Sequence, residues 1–117
     1  MNESLVITRL ANHARVAVLQ VRGRLDSSTA DTLRERGAEV AAEGRNLILN
    51  LNGVTFMGSS GLGALLALSE EFQDQAGEVR IVDPSEAARI VIELVSLDQV
   101  LGIDPDEASA LQAMKAA

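Results

Sequence analysis

Phe56-Met57-Gly58-Ser59-Ser60-Gly61-Leu62-Gly63 joins two unlike patterns. Before it stands Leu47-Ile48-Leu49-Asn50-Leu51, a nearly continuous apolar run of the kind that forms a strand buried on both faces. After it, Leu62, Leu65, Leu66, Ser69, Phe72 and Ala76 fall on one helical stripe, with Glu70, Glu71, Gln73 and Asp74 mostly away from it. The spacing predicts a helix over Ser60–Ala76, closed by Gly77. Strand, glycine-serine turn and helix in that order make a β-α junction, the unit from which mostly parallel sheets are built. Asn52-Gly53 offers a hairpin turn, but Val54–Met57 is too short for a return strand and runs straight into the Gly/Ser cluster.

Upstream, Leu5–Leu10 and Arg15–Arg22 are β-rich runs joined by the polar Ala11-Asn12-His13-Ala14, which predicts a hairpin ended by Gly23. Ser28 followed by Asp31 resembles a capping box and opens a helix predicted over 28–43. Ala30, Leu33, Val40 and Ala41 lie on its apolar face, and Gly37 weakens its interior by about 1 kcal/mol relative to alanine. Downstream, Val79–Val82 reads as a short strand. Asp83-Pro84-Ser85-Glu86 then supplies an aspartate N-cap and a proline at the first helical position for a helix over Ala87–Val95. The device recurs at Asp104-Pro105-Asp106-Glu107, ahead of a helix over Ala108–Ala116, with Gly102-Ile103 as a last strand. The expected architecture is α/β, one domain over 1–117. A mixed, mostly parallel sheet with an N-terminal hairpin is flanked by about four helices.

Composition narrows the function. The 117 residues carry a formal net charge of −7, which opposes a nucleic-acid partner because phosphate binding needs a positive surface. Phe56 and Phe72 are the only aromatic residues, so no stacking platform for bases exists. With no cysteine there is no disulfide, thiolate metal site or thiol nucleophile. His13 is the single histidine, which leaves a zinc site to carboxylates. No metal, cofactor or catalytic residue is expected. No run approaches the length of a membrane span, and MNESLVITRL lacks the charged-then-apolar order of a signal sequence. The expectation is a cytoplasmic protein without direct membrane insertion, and not an enzyme.

Four chemistries compete for the glycine-serine segment. It places two hydroxyls at a helix start, where backbone N–H groups lack intrahelical partners and the dipole end is positive. A phosphate-binding loop suits the glycines, but the Walker-type Gly-Lys-Ser/Thr ending is absent and Lys115 is the only lysine. A nucleophile elbow needs Gly two residues after the serine, and Ser60 has Leu62 there. A plain helix start explains the serines as ordinary polar residues and the glycines as close-packing sites. A regulatory phosphoacceptor is the fourth reading. Phosphoserine adds a charge of roughly −1.5 to −2, which a helix N-terminus tolerates and a docked partner does not.

From Gly23-Arg24-Leu25-Asp26 through Val54-Thr55-Phe56-Met57 and Ser59-Ser60-Gly61-Leu62-Gly63 to Leu94, Leu97, Val100-Leu101 and Glu107-Ala108, the chain resembles the STAS domains. It is most similar in pattern to the stand-alone anti-sigma factor antagonists of the SpoIIAA and RsbV type. The resemblance implies a partner that is both anti-sigma factor and serine kinase. Phosphorylation of a serine at the start of the second helix ends binding, and a cognate phosphatase restores it. The matching phosphoacceptor is Ser59, with Ser60 as the alternative. The resemblance places Asp26, Ser27, Gly58, Ser60, Gly61 and Leu62 on the partner surface. In the family an aspartate precedes the phosphoacceptor, where this chain has Gly58. Loss of that carboxylate either lets a phosphate persist or removes a kinase contact. The second outcome would make the chain a constitutive binding module. The alternative role is a non-switching STAS subunit of a signalling scaffold or lipid-transport ABC complex.

Overall fold

Five strands lie in the sheet in sequence order: β1 (Leu5–His13), β2 (Val16–Leu25), β3 (Asn46–Met57), β4 (Val79–Val82) and β5 (Gly102–Asp104). β1 runs antiparallel to β2, and every other neighbouring pair is parallel. The structure is a computed structural model and describes residues 5–13 and 15–115. Helices α1 (Ala30–Ala42), α2 (Ser59–Asp74) and α3 (Glu86–Leu94) are the crossovers. Strands that step in one direction through crossovers of one hand put all those helices on one face. Accordingly, Leu33 and Val40 of α1, Leu65 and Phe72 of α2 and Ile92 of α3 share one buried core with Leu19, Leu49 and Ile81. α4 (Glu107–Lys115) follows the last strand and takes the opposite face, where Ala110 and Met114 meet Val16, Val18, Ile48 and Val82. The expected mixed sheet, N-terminal hairpin and four helices are present.

β3 continues past the predicted end at Leu51. Its register against β2 slips twice: Gln20 faces Asn50 but Arg22 faces Gly53, and Gly23 faces Val54 but Arg24 faces Phe56. Each slip places one extra residue in β3, as a bulge does. The core-facing residues are therefore Leu47, Leu49, Leu51, Val54 and Met57, spaced first by two and then by three. Strict alternation stops at Leu51, so Val54–Met57 does not register as strand. β2 likewise passes through Gly23, at φ 110°, instead of ending there. Both extensions carry the sheet to the N-terminus of α2.

The helix starts differ from the sequence reading. α1 begins at Ala30, because the Ser28 hydroxyl donates to Asp26 and does not cap the helix. α3 is capped by Ser85, whose Oγ accepts from the Ala88 N–H at 3.1 Å. Asp83 is not the cap; it sits at φ 47°, and its N–H continues the sheet bonding to the Asp104 carbonyl. α4 is capped by Asp106, which accepts from the Ser109 N–H at 2.8 Å, while Asp104 is drawn into β5. In both cases bonding at the strand end holds the proline in the connection. β1 extends through His13, which is exposed, so the hairpin turn is shorter than Ala11–Ala14, and Ala14 lies outside the described residues. Ala116, the predicted end of the last helix, lies outside them too. α2 runs Ser59–Asp74, one residue earlier at its start and two shorter at its end than predicted; Ala64 and Leu68 in it are buried while Leu66 is exposed, and Ala76 lies past the helix at φ 60°. The stripe turns because α2 packs on α1 as well as on the sheet. Buried Gly37 gives Leu68 its space, which offsets the helix-propensity penalty of that glycine.

One polar contact holds the short edge strand. Arg80 Nε donates to Asp104 Oδ2 at 2.6 Å, and its Nη1 donates to Glu78 Oε2 at 2.6 Å. The Arg80 and Asp104 side chains are only 19% and 14% exposed, so solvent screens the pair weakly. Asp104→Ala leaves the guanidinium partly unpaired. It is expected to lower unfolding free energy by about 1.5–3 kcal/mol, read from equilibrium urea unfolding.

Candidate functional site

The site is built where β2 ends and α2 begins. The Gly58 N–H donates to the Leu25 carbonyl at 3.0 Å, and the Leu62 N–H closes the first helical turn on the Gly58 carbonyl at 3.2 Å. Gly58 is the N-cap, in extended conformation and with no side chain to cap the helix. Gly61, in the same turn, is buried on Leu25. A Cβ there would lie 2.7 Å from Leu25 Cγ and 2.8 Å from the Leu25 carbonyl oxygen. Only glycine lets the helix sit this close to the strand. The first turn carries no acidic residue. Ser59 is exposed and Ser60 half-buried. An exposed hydroxyl thus stands beside uncapped backbone amides at the positive end of a helix dipole.

The loop leaving β2 is tied into the same place. Asp26 Oδ1 accepts from the Ser28 N–H at 3.0 Å and from the Ser28 hydroxyl at 2.7 Å. Its Oδ2 accepts from Arg24 Nε at 3.3 Å. The Asp26 carbonyl accepts from the Thr29 and Ala30 N–H groups. The buried Thr29 hydroxyl donates to the Arg24 carbonyl at 2.8 Å and accepts the Asp26 N–H at 3.0 Å. Asp26 is thus a loop organiser that also faces solvent.

These bonds hold the Asp26 carboxyl below the usual aspartate range, with the Ser28 hydroxyl as the largest cause and Arg24 a lesser one. A depressed folded-state pKa contributes stability above the unfolded value. That contribution is lost as pH falls through the folded value, so the window lies below about pH 4. Asp26→Asn is expected to flatten the loss of stability in that window. Thermal melts of both proteins from pH 5 to pH 2.5 check it, and equal slopes would exclude Asp26 as a contributor.

Of the residues predicted for the site, Asp26, Gly58, Ser59, Ser60, Gly61 and Leu62 are brought together through Leu25. Leu62 is half-buried and packs against the core, and Ser27 is exposed on the loop. Sequence reasoning missed Arg24 and Phe56 as a pair. The Arg24 guanidinium lies 4.3 Å from the centroid of the Phe56 ring. The ring is 40% exposed, and its edge lies 3.2 Å from where a Gly58 Cβ would be. No signal in the sequence pairs them, because Phe56 comes opposite Arg24 only through the second register slip of β3. Among the described residues no group of three or more His, Asp or Glu is placed to hold a metal ion. No helix in that set is long and apolar enough to cross a membrane.

A family model described as the STAS domain matches residues 8–110. The chain belongs to the STAS domain family. This STAS domain is 37% identical over 98 residues to the anti-sigma-F factor antagonist RsfB of Mycobacterium tuberculosis, covering 83% of this chain and 79% of RsfB. It superposes on the crystal structure of an anti-sigma factor antagonist from Mycobacterium paratuberculosis with a TM-score of 0.84 and 31% identity. That match covers 96% of this chain and 95% of the other. It also shares its fold with the Bacillus cell fate determinant SpoIIAA in the phosphorylated form, at a TM-score of 0.70 and 23% identity, covering 93% and 99% of the two chains.

Proposed function

We propose that this STAS domain is an anti-sigma factor antagonist whose binding is switched off by phosphorylation of Ser59. Its partner is an anti-sigma factor that is also a serine kinase, and a phosphatase resets the cycle. The relatives RsfB and the Mycobacterium paratuberculosis protein carry the antagonist name, and SpoIIAA shares the fold in a phosphorylated form. The observation that carries the reading is the seat of Ser59. It is exposed, it begins an uncapped helix, and the Gly58–Leu25 bond and the Gly61–Leu25 contact seat that helix start against Leu25, the residue before Asp26. A phosphate there changes the surface without disturbing the core. The half-burial of Ser60 favours Ser59 as the acceptor. Asp26, Ser27, Gly58, Ser60 and the outer part of Leu62 form the docking surface, and buried Gly61 seats the helix start beneath it. No cofactor or catalytic group enters this function.

Gly58 favours a second reading, a non-switching subunit of a larger assembly, because the carboxylate usual before the phosphoacceptor is missing. Intact mass of the protein from its native cells separates the two. One added phosphate, mapped to Ser59, is expected. Ser59→Ala should abolish it and Ser60→Ala should retain it. A protein that never carries phosphate in cells where its sigma factor is regulated supports the second reading.

A further inference from the structure

We infer that Arg24 holds the phosphate in the phosphorylated state, leaving Asp26 to pair with the dianion on Ser59. This rests on Ser59 as the phosphoacceptor and names the residue that receives the charge. The guanidinium is already beside the site. It lies over the Phe56 ring, and the edge of that ring lies against Gly58, the residue before Ser59. Its hold on Asp26 is a single bond from Nε at 3.3 Å, and the Arg24 side chain is 45% exposed. Neither Nη group takes part in that bond, so the planar fork that suits a phosphate is available.

Asp26 does not depend on Arg24 to keep its place. Ser28 supplies two hydrogen bonds to Oδ1, and the Asp26 backbone is held by Thr29 and Ala30. Arg24 is therefore free to leave without unravelling the start of α1. The Phe56 face keeps the guanidinium on this side of the sheet whether or not Nε stays on Asp26. Gly58 now has a physical role. A side chain at position 58 would start 3.2 Å from the edge of the Phe56 ring, and a carboxylate there would compete for the guanidinium on that ring. The charged groups around the phosphate are then Arg24 as the cation and Asp26 as the opposing anion. Arg22 precedes the second register slip and is paired with Gly53 rather than Phe56.

The test uses the full chain with phosphoserine installed at position 59 during translation, so that it does not depend on any kinase. The second ionisation of the phosphate, near pH 6 in free phosphoserine, is followed by 31P NMR titration. Arg24→Gln is expected to raise it by about half a unit or more, because a nearby cation favours the dianion. Arg24→Lys should fall between the two, since it keeps the charge and loses the fork. Arg22→Gln should leave the titration unchanged. An Arg24→Gln titration that overlays the wild type, or an equal shift with Arg22→Gln, overturns the proposal. Thermal melts of the unphosphorylated variants establish that the fold is kept. Failure of the Ser59 reading would show separately, as absence of phosphate at Ser59 in native cells.

Discussion

Gly61→Val is expected to lower the unfolding free energy by about 3 kcal/mol and the Tm by more than about 10 °C. The clash is with the first atom of any side chain: a Cβ at position 61 meets Leu25 Cγ at 2.7 Å and the Leu25 carbonyl oxygen at 2.8 Å. Leu25 is fully buried and the carbonyl is backbone, so neither can swing aside. Relief requires the start of α2 to lift from the end of β2. That movement breaks the Gly58–Leu25 hydrogen bond, which is the bond that aligns Ser59 with the Asp26 loop. Stability and partner binding should therefore fall together. Gly63, two residues on, is exposed and has nothing within 4 Å of a new Cβ. Gly63→Ala should stabilise the protein by up to about 1 kcal/mol through helix propensity alone. Urea unfolding of the two variants reads both effects. A Gly61→Val protein as stable as wild type would show that the helix is not seated on Leu25.

Phosphoserine at position 59 is expected to cut affinity for the partner at least about a hundredfold while the Tm moves by only a few degrees. The asymmetry follows from location. Within the monomer, the dianion meets uncapped amides and a helix dipole that favours negative charge by about 0.3–1 kcal/mol. At a docked interface it must be desolvated or set against like charge, which costs several kcal/mol, and 1.4 kcal/mol is already tenfold. Ser59→Ala should keep the affinity, since it removes a hydroxyl and adds no charge. Isothermal titration calorimetry supplies the affinities and a thermal melt supplies the control. A phosphorylated protein that lost affinity only because it unfolded would have a strongly depressed Tm.

Much of this fold was legible because the apolar patterns of the helices and of the β1–β2 hairpin are strong, even though the β1–β2 register slips between Arg9 and Ala11. Leu47–Leu51 and the stripe through Leu65 and Phe72 needed no tertiary information. The end of β3 was illegible for a local reason: two bulges change the spacing of its core residues from two to three, so Val54 and Met57 fall out of alternation. The caps moved for a different reason. Asp83 and Asp104 have the right chemistry for N-caps, but sheet contacts claim them first, and Ser85 and Asp106 cap in their place. At the site, the Gly58-Ser59-Ser60-Gly61 segment announced itself by composition. The Arg24–Phe56 stack did not, because it is made only once the second bulge brings Phe56 opposite Arg24. A register slip of that kind leaves no mark on a single sequence.

In the proposed switch, one phosphate on Ser59 releases the partner. The direct measurement is a time course in which the complex with the cognate anti-sigma factor kinase is supplied with ATP and magnesium. Remaining complex and phosphate stoichiometry at each serine are read from the same samples. Loss of complex that tracks phosphate on Ser59 one for one is the expected result. A complex that persists when Ser59 is fully phosphorylated, or that dissociates while Ser59 stays unmodified, would contradict it.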